Sequence, residues 1–307
     1  MEKKKDYIVD MDSLVRFTDA IGSYSQYLIQ RFEGQLFHYT DLNALISIVR
    51  NHDLWLTHAQ YSNDEKEVKH GYEIAKGVID KRRKKSRNKR EQVYFDHVTK
   101  FVDEPLPKGV YICCFCTEDN LLSQWRGYGE NGTGVSIAFD PLGFARYSGP
   151  DLPPENLGLM RLWEVFYKRE VQENIVEKAL ELVPRINDQD SEEVKARKTA
   201  DAIHFFIPTF KDSDFEGEKE RRLIFTPARN CLVEPQYRVG KGMLVPYYSL
   251  KALGKCVYGS EQPLPITGVT IGPGVRKDLN VESVKMLLEQ NGYEKFTVSS
   301  SDTPYRG

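Results

Sequence analysis

The fold is decided first by the stretch Leu36-Phe37-His38-Tyr39-Thr40, which Asp41 and an amphipathic segment follow at once. The short apolar run predicts a strand that ends in an imidazole, a phenol and a hydroxyl. Asp41 is a good helix N-cap, and the segment behind it has apolar residues at helical spacing, at Leu42, Leu45, Ile46 and Val49. Such strand ends commonly build small-molecule sites, so His38, Tyr39 and Thr40 are candidate site residues.

The composition is that of a soluble protein with a substantial core. The chain has 307 residues, of which 40% are apolar and 29% charged, and its mean hydropathy is −0.52. No apolar run approaches the roughly 18 residues that a membrane span needs, and the charged N-terminus does not resemble a secretory signal. We therefore expect a cytoplasmic protein with no membrane contact. The net charge of −2 excludes nucleic-acid binding by the molecule as a whole, so any such role needs a local patch.

The cysteines predict free thiols and no metal site. There are five, an odd number, and no export signal accompanies them. Cys113-Cys114-Phe115-Cys116 lacks a second pair at zinc spacing and predicts a buried strand in which the thiols pack as apolar groups. Asp64, Glu65 and Glu67 are also unsuitable for magnesium, because helical geometry separates the two glutamates.

Strands and helices alternate along the whole chain without an internal repeat or a clear linker. This pattern predicts one α+β domain at 35–307 with a mixed, mostly antiparallel central sheet flanked by helices, after an N-terminal helical segment at 1–34. Strands are predicted at 35–39, 53–57, 110–117, 134–139, 162–167, 220–226, 243–248, 266–271 and 295–299. Helices are predicted at 12–32, 41–51, 65–80, 91–102, 121–128, 170–185, 191–212 and 280–291.

Two segments between these elements are candidates for ligand contact. Tyr61-Ser62-Asn63-Asp64 opens a helix, where Tyr61 would stack on a planar ring and the backbone amides would favour an anion; the alternative is an ordinary capped turn. Ser123–Gly129 places Arg126 where it would grip a phosphate with two donors. Its tryptophan and tyrosine are equally compatible with the core, and its glycines match neither a P-loop nor a dinucleotide fingerprint.

Glu216, Glu218 and Glu220 recur with a period of two. In a strand they would share one face and repel one another unless arginines or a ligand offset them, so their pKa values would be perturbed, as at a functional site. The alternative is a charged edge strand that discourages aggregation.

The run Lys81–Arg90 has basic residues at all but two positions and is predicted to link two helices. It would either contact the phosphates of a nucleic acid or form a solvated loop.

Taken together, the ordered motifs resemble a large, poorly characterised bacterial family over about residues 35–306. The matching segments are Phe37–Thr40, Leu54–Leu56, Asn63-Asp64, Ser123–Gly129, Gly134–Asp140, Glu218–Leu223, Ile271–Pro273 and Ser301–Arg306.

That family is similar in layout to ADP-ribosyltransferases, especially the DarT-like toxins. The resemblance implies an ADP-ribosyltransferase-like fold with NAD as substrate. It implies that His38 holds NAD, that Glu220 is the catalytic glutamate and that Glu218 handles the acceptor. It leaves Tyr61 and Tyr94 as alternative residues to stack on nicotinamide.

The NAD site implied by the resemblance would also include Tyr39, Thr40 and Asn63, with Arg126 or Arg222 at the diphosphate. The acceptor would be a nucleic acid, through Lys81–Arg90, or a protein, and the chain would act as a toxin or anti-phage effector, with an antitoxin as a further partner. Two alternatives remain open: a non-catalytic nucleotide-binding sensor, and a nucleic-acid-binding protein or nuclease.

Overall fold

A computed structural model of the chain describes residues 34–61, 66–106, 108–147, 156–240, 242–261, 263–274 and 276–304. The helix predicted at 12–32 and the candidate site residue Asn63 lie outside the described residues, as does nearly all of the predicted segment 1–34.

The described elements form a single α+β domain. The strands are β1 (Leu36–Thr40), β2 (Trp55–His58), β3 (Tyr111–Cys116), β4 (Val135–Phe139), β5 (Gly158–Glu164), β6 (Glu220–Pro227), β7 (Gln236–Gly240), β8 (Met243–Ser249), β9 (Ile266–Ile271) and β10 (Thr297–Ser300). The helices are α1 (Leu42–Asn51), α2 (Lys66–Lys85), α3 (Lys89–Asp103), α4 (Leu122–Gly127), α5 (Arg169–Ile186), α6 (Glu192–Phe206), α7 (Leu250–Tyr258) and α8 (Lys277–Gln290).

The described strands form one open sheet in which β10 and β9 are parallel and the other named pairs are antiparallel. The main path runs β10-β9-β4-β1-β3-β2-β8-β7, and β6 and then β5 continue from β3. The prediction of a mixed, mostly antiparallel sheet flanked by helices is therefore confirmed.

The strand β3 has two partners on one edge and one partner on the other. β6 pairs with it along its whole length, from Tyr111 opposite Phe225 to Cys116 opposite Glu220. On the other edge, β1 pairs only at Cys116 and β2 only at Tyr111 and Ile112. The edge of β3 is therefore open to side chains between these two pairings.

Helices cover both faces of the sheet, because each face carries a row of apolar side chains that must be buried. On one face α1, α7 and α8 pack over Leu36, Phe115, Ile137 and Phe225. On the other, α2, α3, α5 and α6 pack over Ile112, Trp163 and Ile224. Gly71 lets α2 approach this layer closely, since an added Cβ would lie 3.0 Å from the carbonyl oxygen of Ile207.

The structure differs from the sequence predictions in several places. The helix predicted at 191–212 ends at Phe206, and the strand predicted at 162–167 lies at Gly158–Glu164. The basic run is helical rather than a loop over most of its length, since α2 continues to Lys85 and α3 begins at Lys89. Residues 213–218 form a 3-10 helix that ends at Lys219, whose φ is +48°, so Glu216 and Glu218 are not strand residues. The elements β7 and α7 were not predicted.

None of the described helices is both long and apolar enough to span a bilayer.

Candidate functional site

The most unusual feature of the sheet is a charged cluster on the face that α5 and α6 cover, at the start of β6. We define the charged cluster as Lys211, Glu218, Glu220 and Arg222. Arg222 donates from Nε to Glu220 Oε1 at 2.7 Å and from a terminal nitrogen to Glu220 Oε2 at 2.9 Å. The side chain of Glu220 is only 5% exposed, so this two-pronged pair is largely removed from water.

Lys211 links Glu218 and Glu220. Its Nζ donates to Glu218 Oε2 at 2.6 Å and to Glu220 Oε2 at 3.0 Å, while only 4% of its side chain is exposed. The backbone of Lys211 is fixed by Phe166, whose carbonyl accepts from its N–H, and by Gln172, whose amide donates to its carbonyl. The cluster therefore has a rigid support outside β6.

The charges of the cluster fix the protonation state of Glu220. Burial alone would raise the pKa of this carboxyl, but the nearby charges of Arg222 and Lys211, together with the hydrogen bonds of Arg222, lower the pKa to about 2. Glu220 is therefore ionised at neutral pH. Glu218 differs in that 20% of its side chain is exposed, so its carboxylate is accessible to a ligand from solution.

Two further groups complete the margin of the cluster. The hydroxyl of Tyr128, which follows α4, donates to Glu218 Oε1 at 3.4 Å. Burial and the charge of Glu218 raise the pKa of Tyr128, which keeps the phenol protonated. The second group is Tyr167, which follows β5. Its phenol oxygen accepts from the N–H of Glu220 at 2.7 Å.

Cys114 connects the charged cluster with His38. Its thiol hydrogen-bonds to Glu220, and burial together with the charge of Glu220 raises its pKa well above the ordinary value, so it is a neutral thiol at neutral pH. Its carbonyl oxygen lies 2.9 Å from His38 Nδ1. Although protein atoms crowd the thiol, part of the Cys114 side chain is open to solvent, whereas Cys113 and Cys116 are buried, as the sequence predicts for this strand.

His38 occupies the open part of the β3 edge. The Cys114 carbonyl has no amide of a described strand as partner on this edge, and the imidazole of His38 bonds to it instead. Burial lowers the pKa of His38. The register Phe37–Cys116–Glu220 puts these three side chains on one side of the sheet. His38 follows Phe37, so it leaves β1 on the other side, where its ring meets Phe115 edge-on at 5.9 Å.

Tyr39 and Thr40 lie beside His38 but face structural partners. The Tyr39 hydroxyl donates to the Glu118 carbonyl and accepts from the Leu121 N–H, and its ring packs edge-on against Trp125 at 4.9 Å. Thr40 pairs with Val135 of β4. It does not cap α1, because the side chain of Asp41 accepts from the N–H of Ala44 at 2.8 Å.

The remaining predicted side chains are dispersed. Tyr61 is exposed on a 3-10 turn after β2, with its ring edge-on to His58. Tyr94 is buried in the helical layer and shares a hydrogen bond with Thr199, so it is not available to stack on a ligand. Arg126 is exposed on α4. Arg222 is buried and occupied by Glu220 and the Pro208 carbonyl, which leaves it unsuited to a diphosphate.

Sequence reasoning did not find Lys211 and Tyr167. The only signal for Lys211 is that a single cation follows the apolar run that ends at Phe210. Tyr167 has no signal, because its contact with Glu220 depends on how the segment after β5 passes β6. Within the described ranges, no group of three His, Cys, Asp or Glu side chains is arranged to hold a metal ion.

Comparison with curated proteins and with solved structures gave no match. Residues 124–223, about a third of the chain, match the model of a family described as a protein of unknown function (DUF2971). The matched segment begins in α4 and ends in β6, so it contains the whole charged cluster together with Tyr128 and Tyr167. The chain is therefore similar, over the segment that builds the candidate site, to a family of uncharacterised function.

Proposed function

We propose that the charged cluster cleaves the glycosidic bond of NAD and transfers ADP-ribose to an acceptor, as the resemblance to ADP-ribosyltransferases implies. The observation that carries the proposal is the pairing of Glu218 and Glu220 on one buried lysine. Glu220 is fixed and ionised, whereas Glu218 is partly open to solvent. Two carboxylates with such different surroundings are suited to two different roles in one reaction.

In the proposed reaction the bond between ribose C1′ and the nicotinamide nitrogen breaks, and neutral nicotinamide leaves with the electron pair. The positive charge that develops at the ribose is stabilised by the fixed carboxylate of Glu220, an effect that preorganised groups make worth several kcal/mol. The acceptor oxygen or nitrogen then bonds to C1′ and gives its proton to Glu218. Such an activity, on a nucleic acid or a protein, would fit a toxin or anti-phage effector.

The proposal assigns no NAD contact to His38. The resemblance implies that His38 and Glu220 flank one dinucleotide, and this requires both side chains on one side of the sheet. The strand register separates them, with Cys114 between. We therefore assign NAD contact to Glu218, Glu220 and Tyr128, with the exposed Arg126 at the diphosphate, and we assign His38 to the support of Cys114.

The test is nicotinamide release from NAD by the wild-type chain and by Glu220→Gln and Glu218→Gln. We expect Glu220→Gln to keep most of its NAD affinity and to lose turnover, because only the fixed negative charge is removed. Glu218→Gln should keep NAD hydrolysis better than transfer, since water needs less help than a bulky acceptor. The matched control is Glu216→Gln, an exposed residue on the same 3-10 helix, which should behave as wild type.

Circular dichroism and a melting curve on each variant separate lost chemistry from lost folding. Wild-type turnover in Glu220→Gln would reject the assignment.

A second candidate, a non-catalytic nucleotide-binding sensor, is favoured by one observation. Both oxygens of Glu220 already accept from cations, so its negative charge is largely compensated in the absence of ligand. Calorimetric binding of NAD by the wild-type chain without any nicotinamide release would favour this sensor over the transferase.

A further inference from the structure

The strongest concentration of positive charge lies where α2 and α3 meet. We define the hairpin tip as residues 81–90, which comprise the end of α2, a short link and the start of α3. Its exposed cations are Lys81, Arg83, Lys84, Lys85, Arg87, Lys89 and Arg90. Arg83 pairs with Asp96 and Arg90 with Glu192, but Lys84, Lys85, Arg87 and Lys89 form no ion pair with any described residue.

The hairpin tip is continued by cations from other helices, around two adjacent cavities that share Arg82. One cavity, of about 350 Å³, is lined by Lys81 and Lys85 together with Lys178 of α5. The other, of about 420 Å³, is lined by Arg90 together with Arg185 of α5 and Lys195 of α6. Four helices therefore contribute to one basic surface, which sequence spacing alone could not indicate.

Most of the acids in these cavities are already paired. Glu177 binds Arg82, Glu181 binds Arg185, and Glu192 lies within salt-bridge distance of both Arg90 and Lys195. Glu91 remains at the margin, where it accepts from the Ser86 hydroxyl. The surface therefore keeps a net positive charge on a molecule whose total charge is −2. Like charges so close together repel, and a polyanion relieves that repulsion while its counterions are released.

Among the described residues, this surface has no exposed aromatic side chain on which an unpaired base would stack. The two rings that line the larger cavity, Tyr94 and Phe95, are buried in the helical layer. Single-stranded nucleic acids are generally held by such stacking, whereas a duplex keeps the faces of its bases stacked inside and presents its phosphates along the outside.

We propose that the hairpin tip and the two cavities bind the phosphate backbone of a nucleic-acid duplex without reading its sequence. This surface is separate from the charged cluster. The start of α2 is near the cluster, because His70 lies 3.0 Å from Gln172 and Gln172 donates to the Lys211 carbonyl. From His70 to Lys85 the helix rises about 22 Å, at roughly 1.5 Å per residue. Duplex binding therefore does not depend on the proposed NAD chemistry.

The experiment measures fluorescence anisotropy of a labelled duplex DNA with the full-length chain over a range of salt concentrations. The test variant carries Lys84→Ala, Lys85→Ala, Arg87→Ala and Lys89→Ala. The control carries Lys69→Ala, Lys100→Ala, Arg229→Ala and Lys295→Ala, which removes the same net charge from exposed positions elsewhere. Melting curves verify that both variants fold.

We expect wild-type affinity to fall steeply with salt, the test variant to bind at least tenfold more weakly, and the control to stay within about twofold. The slope of log affinity against log salt should drop by about one for each phosphate contact removed. Duplex binding is measured in the absence of NAD, so failure of the NAD proposal would not affect this result.

Three outcomes would overturn the proposal. They are equal losses in the test and control variants, tighter binding to a single strand than to the duplex, and binding to anionic lipid vesicles without binding to the duplex.

Discussion

A single lysine, Lys211, holds two carboxylates that would otherwise repel each other. Removing one partner of a buried ion pair typically costs about 3–5 kcal/mol, because an uncompensated charge remains in a poorly solvated place. We expect Lys211→Met to lower the free energy of unfolding by about 3 kcal/mol, since Arg222 still compensates Glu220. Urea unfolding measures the change.

The matched control for Lys211 is Lys219→Met, which removes a neighbouring lysine whose pair with Glu118 is exposed. That substitution should cost less than about 1 kcal/mol. Similar losses of unfolding free energy in the two variants would show that Lys211 stabilises the fold no more than an exposed lysine does.

Asp201 is a second buried carboxyl, set in α6 away from any charged partner. Burial raises its pKa well above the ordinary value, and its Oδ1 has no hydrogen-bond partner among the described residues. Because the folded state holds its proton more tightly than the unfolded state, the stability from Asp201 is full at low pH. It is lost as pH rises through the folded pKa.

Asp201→Asn never ionises, so we expect its stability relative to wild type to improve steadily from pH 4 to pH 8. Urea unfolding at several pH values measures this trend, with Asp188→Asn at an exposed position as the control for the substitution itself. A difference that does not change with pH would contradict the assignment of a raised pKa to Asp201.

At the scale of elements, α4 is joined to the end of the chain through Asn120. This residue has a φ of +66°. Its amide donates to Asp302 at 2.7 Å and accepts from the Trp125 indole at 3.1 Å and from the Ser301 hydroxyl. The segment that carries Tyr128 is thus held against the residues that follow β10.

Asn120→Ala loses these bonds and also places a Cβ with no compensating interaction in a left-handed conformation, which costs about 1–2 kcal/mol. Asn120→Gly loses the same bonds without that strain. We therefore expect Asn120→Ala to be less stable than Asn120→Gly by about 1 kcal/mol in urea unfolding, although alanine is the better residue in most places. Equal stability would mean that the backbone shifts out of this conformation.

Elements with a clear apolar period could be predicted from the sequence, and elements that depend on long-range partners could not. The strand β1 and the helix α1 follow directly from the apolar spacing around His38 and from the Asp41 cap. The strand β7 was missed because it is only 5 residues long and most of its side chains are exposed. The basic run was predicted to link two helices because its apolar content is low, although lysine and arginine have good helix propensity.

At the scale of the whole molecule, the arrangement predicted for Glu218 and Glu220 differs from the one in the structure. A period of two in a strand predicted a shared face, whereas Glu218 ends a 3-10 helix and reaches Glu220 through Lys211. The sides of the sheet occupied by His38 and Glu220 could not be predicted either. They depend on the register between β1, β3 and β6, and no local pattern encodes a register between strands so far apart in the chain.

The length of α2 sets a limit on how the two proposed activities can cooperate. A helix that runs about 22 Å from the neighbourhood of Lys211 to Lys85 separates the place of chemistry from the place of attachment. A duplex rises about 3.4 Å per base pair, so one that lies along α2 must extend roughly six to seven base pairs beyond the hairpin tip before its end comes level with the carboxylates. A shorter duplex would bind the hairpin tip without reaching the carboxylates. Only a longer duplex could serve as the acceptor while it stays bound there.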